Sequence, residues 1–290
     1  MKIDYRCSNP IKTTKPIDYS VYKNKKLSIN GNGNNNINTS INTTVNSNNI
    51  KIQRINRSDE QLRQIFMKIG VVSQGSGSSY VEMGKTKVLC TIHGPRATQK
   101  TELFETAKLN CELKYTTFSS TTEKIEYVEN SKEKDLSLLI TQSIIGSIRL
   151  EKYPKTAIDI YILVLNDDGN VLVASITAAT MALADAGVEM FDMVSSCSVS
   201  STKDNRTLID PTTSEETIPT SSTILVAKMP SLNEITQIIQ TGELQYTNVL
   251  ECVDLCIDGC DKIYSIMKQN LIDSLLQKQK EKEQQQQQQQ

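Results

Sequence analysis

The spacing of apolar positions divides this chain into three parts. Between residues 55 and 276 apolar residues recur with strand or helix periods, and on either side of that span they thin out and lose their period. Gly70-Val71-Val72 reads as a strand, Gln74 to Gly77 as a turn, and Ser78 to Met83 as a second strand. Gly84-Lys85 then turns the chain into Thr86 to His93, which Gly94-Pro95 ends, so the spacing predicts an antiparallel meander. Cys111 to Tyr115 is a further short strand. From Lys134 to Leu150 the residues Leu138, Leu139, Ile140, Ile144, Ile145 and Ile148 fall at helical spacing, and Thr156 to Leu165 returns as a β-branched strand.

Asp167-Asp168-Gly169-Asn170 closes that strand as a turn, because Asp and Asn bond their own backbone and Gly tolerates positive φ. From Ala174 to Ala186 nearly every position is Ala, Ile, Met, Leu or Thr, so this helix is predicted to be buried on all sides, with Gly187 at its end. Ser195 to Ser200, Thr207 to Asp210 and Thr223 to Met229 read as strands, and a long helix runs from about Tyr246 to Leu276. Several strands followed by a helix, given twice, predict an α+β fold of two similar halves of antiparallel sheet packed with helices.

The flanks differ in kind. Residues 1–54 form an Asn-rich N-terminal extension, read as disordered because Asn30 to Asn49 has no period that could bury a face. Residues 277–290 form a charged and polyglutamine tail.

Charge and cysteine content narrow the function classes. Lys and Arg number 32 against 33 Asp and Glu, so the whole molecule is not a basic nucleic-acid glove, and RNA contact needs a local patch. The seven cysteines show no CxxC pair, which favours free, buried thiols in a reducing compartment. No apolar run approaches the roughly 18 to 20 residues of a membrane span, and no membrane partner is expected.

Several residues carry candidate chemistry. The single histidine, His93, ends a strand without a nucleophile beside it, and is read as packed rather than catalytic. Cys252, Cys256 and Cys260 share a helix face but cannot by themselves close a tetrahedral metal site, so no metal and no cofactor are expected. Asp210 and Glu216 bracket a turn where two carboxylates could hold Mg²⁺ beside a phosphate, although a solvated loop explains the spacing as well. Arg96, Lys100, Lys132 and Lys134 lie where they could touch an RNA backbone, against the default of a solvated surface. The turn before the buried helix delivers free backbone N–H groups to one point, a geometry that suits a phosphate.

Set beside known families, Ser78-Ser79-Tyr80-Val81-Glu82-Met83-Gly84-Lys85-Thr86-Lys87-Val88, followed by His93-Gly94-Pro95-Arg96, resembles the opening signature of the RNase PH family. Ala174 to Ala179 and Ala182 to Gly187 are similar to its central helix, and Met229-Pro230-Ser231-Leu232-Asn233 resembles a motif of its exosome-ring members. The resemblance covers about Arg57 to Ile272. It implies an RNase PH-type fold and a family of phosphorolytic exoribonucleases, in which phosphate attacks the last 3′ phosphodiester and releases a nucleoside diphosphate.

The departures from the pattern point one way. Aligning on the central helix places Leu172 where the family's phosphate-clamping Arg stands. Asp210 keeps the first acid of the site, Glu216 stands where a second Asp is usual, and Thr223 falls at the third. Glu133 and Lys134 take the place of two RNA-gripping arginines, and Arg57-Ser58-Asp59-Glu60-Gln61 lacks the Gly-Arg of the usual opening. Loss of one bidentate donor at such a site costs transition-state stabilisation on the order of 3 to 4 kcal/mol. The resemblance therefore implies no catalytic residue here, with Asp210 and Glu216 as remnants and Leu172 and Thr223 as lost positions.

It also implies a structural member of the RNA exosome's six-membered ring, supporting rRNA maturation and mRNA turnover in nucleus, nucleolus and cytoplasm. Its expected partners are other RNase PH-like ring subunits, S1/KH cap subunits, RNA passing through the channel and a separate nuclease. Arg96, Lys100 and Lys134 are the expected backbone contacts. Two other functions stay open: a working phosphorolytic exoribonuclease completed by a paired subunit, and an independent RNA-binding protein, which the near-neutral charge disfavours.

Overall fold

A run of Ile and Val on alternate positions fixes the centre of the first sheet. The structure, a computed structural model, describes residues 54, 57–97, 106–120, 130–202, 206–216 and 222–288. Strand β5 (Thr156–Asn166) turns Ile158, Ile160, Ile162 and Val164 into the core, and pairs antiparallel with β3 (Thr86–Ala97), with Cys90 opposite Ile162. β1 (Ile65–Ile69), β2 (Gly77–Met83) and β4 (Lys108–Tyr115) complete a five-stranded sheet of order β1-β2-β3-β5-β4, antiparallel except where β4 runs parallel to β5. The second sheet, β7-β6-β8-β9, is wholly antiparallel and comprises β6 (Ser195–Ser201), β7 (Thr207–Ile209), β8 (Ser222–Met229) and β9 (Glu234–Thr241).

Among the described residues four α-helices pack with the sheets: α1 (Ser131–Ile145), α2 (Val171–Asp185), the short α3 (Thr213–Glu216) and α4 (Tyr246–Gln288). Helix α2 packs on β2 and β3 on one side and on β6 on the other, which explains a sequence with no solvent-facing stripe. Strand β6 has α2 against one face and α4 against the other, so all of its residues are buried. Its composition, Ser-Ser-Cys-Ser-Val-Ser-Ser, follows from that position, since small side chains let both helices approach. Ser196 spends its hydroxyl on the Val173 carbonyl of α2 at 3.1 Å. On the opposite face Cys197 sits so close to α4 that a Cβ at Gly259 would lie 2.5 Å from its sulfur.

The α+β architecture of two similar halves expected from the sequence is the one observed. Local boundaries moved for identifiable reasons. The first strand lies at Ile65–Ile69, where Met67 is buried and Phe66 and Lys68 face out, whereas Gly70 and Val71 are exposed. β3 does not stop at Gly94-Pro95 but continues through a cis peptide bond to Ala97, with a register shift between His93 and Arg96. β9 was not foreseen, because a bulge opposite Ala227/Lys228 breaks its period and leaves Ile235 and Ile238 exposed on an edge strand. Helix α1 begins at Ser131, where the Asn130 side chain accepts the Lys132 N–H at 3.2 Å, and ends at Ile145 rather than Leu150. Helix α2 starts at Val171, three positions before the predicted Ala174. Helix α4 runs to Gln288 instead of stopping near Leu276, since Gln, Lys and Glu are good helix formers without an apolar period. Of the N-terminal extension, only Arg54 belongs to the described residues.

Candidate functional site

The turn before α2 and the loop after β7 meet at one place. Gly169 donates its N–H to the Asp167 carboxylate at 3.0 Å, and a Cβ on Gly169 would lie 2.6 Å from the Thr213 nitrogen. That glycine also has φ 84°, so both conformation and space require it. Asn170 follows in the left-handed region at φ 61° and begins α2 without capping it. Its amide nitrogen Nδ2 donates to Asp210 at 2.6 Å, its Oδ1 accepts the Ser198 hydroxyl, and its backbone N–H donates to Glu216 Oε1 at 3.3 Å.

Asp210 is buried and saturated. Arg63 grips its carboxylate with Nη2 on Oδ1 at 2.7 Å and Nε on Oδ2 at 2.8 Å, and the Arg63 backbone N–H adds a bond at 3.0 Å. Burial by itself would push the Asp210 carboxyl up, but the hydrogen bonds and charge of Arg63, with the Asn170 amide, outweigh it and hold the group below the ordinary carboxylate range. Arg63 Nη1 also donates to the Asp168 carbonyl at 3.0 Å, so one guanidinium joins the β7 loop to the turn before α2. Next to it, Arg54 forms a bidentate pair with Glu215, at 2.9 and 2.8 Å, and donates to the Ile209 carbonyl at 2.9 Å.

Glu216 is in a different state. It borders a cavity of about 250 Å³ together with Tyr115, Asp167, Asn170, Leu172 and Thr223, among others. Among the described residues no Lys or Arg lines that cavity. Burial pushes the Glu216 carboxyl up to about 7, and Asp167 and Asp210 add to the rise against the opposing Asn170 N–H and Arg63 charge.

The structure thus brings Glu216, Leu172 and Thr223 around one cavity, with Asp210 bonded to the Asn170 that forms part of its wall. The RNA-contact candidates lie elsewhere. Arg96 is ion-paired with Asp159, which also accepts Asn110 at 2.8 Å. Asp159 and the exposed Lys134 both border a groove of about 590 Å³ between β4 and α1. Lys100 lies outside the described residues. His93 packs edge-on against Tyr161, with ring centroids 5.7 Å apart.

Glu133 requires a correction. Its replacement of a basic residue suggested that an RNA-facing charge had changed sign, yet it is buried, and its Oε1 accepts the Tyr115 N–H at 3.0 Å. With Ser137, which accepts the Leu113 N–H at 2.9 Å, it satisfies the free edge of β4. Glu133 therefore belongs to the framework. Arg54, Arg63 and Asn170 are the site residues that sequence reasoning missed. Nothing in their spacing marks them, because their carboxylate partners lie 40 to 161 positions away. Among the described residues no three His, Cys, Asp or Glu side chains are arranged to hold a metal ion.

This geometry accords with the comparisons. Residues 61–189 match the model of the 3′ exoribonuclease family, domain 1. The RRP41-like exosome complex component of Arabidopsis thaliana is 37% identical over 219 residues, covering 75% of this chain and 83% of that protein. Exosome complex component MTR3 of Mus musculus is 32% identical over 232 residues, covering 74% of this chain and 85% of its own. The chain belongs to the RNase PH family of 3′ exoribonucleases. Its fold is similar to rice Rrp46, with TM-score 0.63, 22% identity and coverage of 73% of this chain and 97% of that one. It is also similar to an Archaeoglobus fulgidus exosome chain solved with RNA bound to the active site, with TM-score 0.61, 21% identity and coverage of 71% and 89%.

Proposed function

We propose that this chain is a ring subunit of the RNA exosome core, and that it serves the ring as a non-catalytic member. The ring assignment is supported by relatives that are themselves exosome components. The non-catalytic reading is carried by one observation: the cavity at the start of α2 has Leu172 in its wall and Glu216 on the Asn170 N–H, with no cation lining it among the described residues. Phosphorolysis needs positive charge around the incoming phosphate, and a carboxylate facing it raises the barrier instead.

In this reading the subunit holds its ring neighbours, seats S1/KH caps and borders the path of RNA toward a separate nuclease. Arg96, Lys100 and Lys134 are its contacts to the RNA backbone, and nucleus, nucleolus and cytoplasm are its locations. Val88-Leu89-Cys90, Gly187 to Asp192 and Ile209 to Thr212 resemble the corresponding strings of exosome component six, the ring position we favour.

The competing reading is a phosphate-dependent 3′-to-5′ exoribonuclease, for which the retained acids Asp210 and Glu216 speak. The deciding experiment incubates RNA and inorganic phosphate with the purified chain, alone and with its co-purified ring partners. We expect no nucleoside diphosphate release beyond what those partners give without this chain. Release that disappears in an Asp210→Ala variant of normal fold would replace our reading with the enzymatic one. Leu172→Arg alone is expected to stay inactive, because Thr223 and Glu216 still face the cavity.

A further inference from the structure

Strand β4 is the outer strand of the first sheet, and helix α1 packs beside it. Its register with β5, continued by the Thr116 N–H on the Val164 carbonyl at 3.0 Å, turns the even-numbered amides toward β5 and the odd-numbered ones outward. Successive turns of α1 serve the outward amides. Glu133 accepts the Tyr115 N–H at 3.0 Å, and Ser137 accepts the Leu113 N–H at 2.9 Å. Thr141, next in that series, donates its hydroxyl to the Ser137 carbonyl at 2.8 Å and bonds with the Cys111 thiol, so it does not serve the Cys111 amide. Beyond the other end of the strand, Ala107 donates its N–H to the Leu150 carbonyl at 3.1 Å. Among the described residues the outward N–H groups of Leu109 and Cys111 meet no acceptor.

Both residues belong to the wall of the 590 Å³ groove between β4 and α1. The groove wraps around the edge of the sheet. On the helix side it meets Leu138, and on the open face of the sheet it meets Tyr161, whose row holds Glu112 of β4. Leu138 is 57% exposed and Tyr161 is 43% exposed, so each presents apolar surface without a cover. An extended chain lying along β4 turns alternate side chains to opposite faces, and would bring one to Leu138 and the next to Tyr161. Among the described residues the wall carries two lysines, Lys114 and Lys134, against three acids, Glu112, Glu133 and Asp159. That balance gives a polyanion little hold and suits a neutral peptide backbone.

We propose that this groove docks an extended segment of a partner protein, which adds to the first sheet as a short strand along Leu109 to Cys111 and seats alternate apolar side chains against Leu138 and Tyr161. The two outward donors stand one residue apart, a spacing of about 6.6 Å that matches the repeat of an extended peptide. Ser137 bounds the open stretch on one side and the Leu150 carbonyl on the other, so the pairing is short, and side-chain contacts supply the rest of the affinity. The RNA contact assigned above to Lys134 is the competing use of the same groove. The inference goes beyond ring membership and is independent of the catalytic state of the cavity at α2.

The test reads the β4 amides of the full-length protein by hydrogen exchange and by NMR titration. Without ligand, Leu109 and Cys111 should exchange at least about tenfold faster than Leu113 and Tyr115, after correction for intrinsic rates. The probe is a blocked peptide of alternating valine and threonine, which should shift and protect the Leu109 and Cys111 amides at millimolar concentration, while its backbone N-methylated counterpart should not. Leu109→Pro removes one outward donor and leaves the ladder to β5 intact, and Leu138→Lys charges one wall from an exposed position. Each should weaken peptide binding by up to about tenfold, and Leu138→Lys carries the test if Leu109→Pro does not fold. Equal protection of all four amides in the free protein would overturn the docking site, as would no shift with the peptide, equal binding of its N-methylated form, or unchanged binding by Leu138→Lys. Protection that rises with protein concentration would give the edge to a second copy, and shifts with a single-stranded oligouridylate but not with the peptide would give it to RNA; either result overturns the proposal. Ring membership is read separately, from co-purification with other ring subunits, whatever these amides show.

Discussion

Asp210 and Glu216 flank the same short loop and have opposite surroundings. Asp210 sits in the left-handed region at φ 53°, accepts hydrogen bonds from Arg63 and Asn170, and is held ionised. Glu216 accepts the Asn170 backbone N–H and borders a cavity, and burial pushes its carboxyl up to about 7. A pair of acids that reads as one constellation in sequence is thus one structural strut held below the ordinary carboxylate range and one buried group pushed above it. Spacing counts carboxylates. Only the partners decide which of them is available for chemistry.

The largest expected effect comes from Arg63→Ala, which leaves buried Asp210 with only the longer 3.6 Å pair to Arg57 and should lower the unfolding free energy by about 3 kcal/mol, read from urea denaturation. The same comparison has an acid limb. Because the Asp210 carboxyl is held below its unfolded value of 3.8, its contribution is present above that pH and is lost as pH falls through the lower folded value. The wild type should therefore lose stability steeply in that range, and Arg63→Ala should show a shallower loss. An Arg63→Ala protein as stable as wild type would mean that Asp210 is no strut.

Glu216→Gln should act in the opposite direction and by less. The folded carboxyl sits near 7 against an ordinary value of 4.5, so its contribution to stability is greatest at low pH and declines as pH rises through that interval. Above it, Glu216→Gln should stabilise the protein by on the order of 1 kcal/mol, and below about pH 4 the two proteins should melt together. Destabilisation by Glu216→Gln at alkaline pH would show that this acid is as firmly paired as Asp210.

The smallest effect serves as the reference for both. Lys278 pairs with Asp185 at 2.9 Å, but the lysine side chain is 53% exposed. Lys278→Ala should cost at most about 0.5 kcal/mol in thermal or urea unfolding. A cost similar to that of Arg63→Ala would remove the distinction between buried and exposed pairs on which the comparison stands.

Much of the fold was legible because burial writes a period into the chain. Ile158 to Val164 alternates, the segment that became α2 has no polar face, and both elements were placed within a few residues. Elements escaped where the period is broken or absent, as at the bulge of β9 and in the last turns of α4. The site was half legible. Leu172, Glu216 and Thr223 were singled out one by one and do border one cavity. The direction in which a side chain turns was hidden, so Glu133 looked like a surface charge while it finishes the edge of β4. Arg63 and Arg54 were invisible because an isolated arginine has no period, and their carboxylates are 147 and 161 positions distant.

Arg63 carries a further consequence. Its guanidinium holds the loop of one half through Asp210 and the turn of the other through the Asp168 carbonyl. A partly folded chain with only one half formed would bury that charge against a single set of acceptors, which is unfavourable in either half. The two sheets should therefore open together in one cooperative unit, and native-state hydrogen exchange should give β5 and β8 the same limiting free energy.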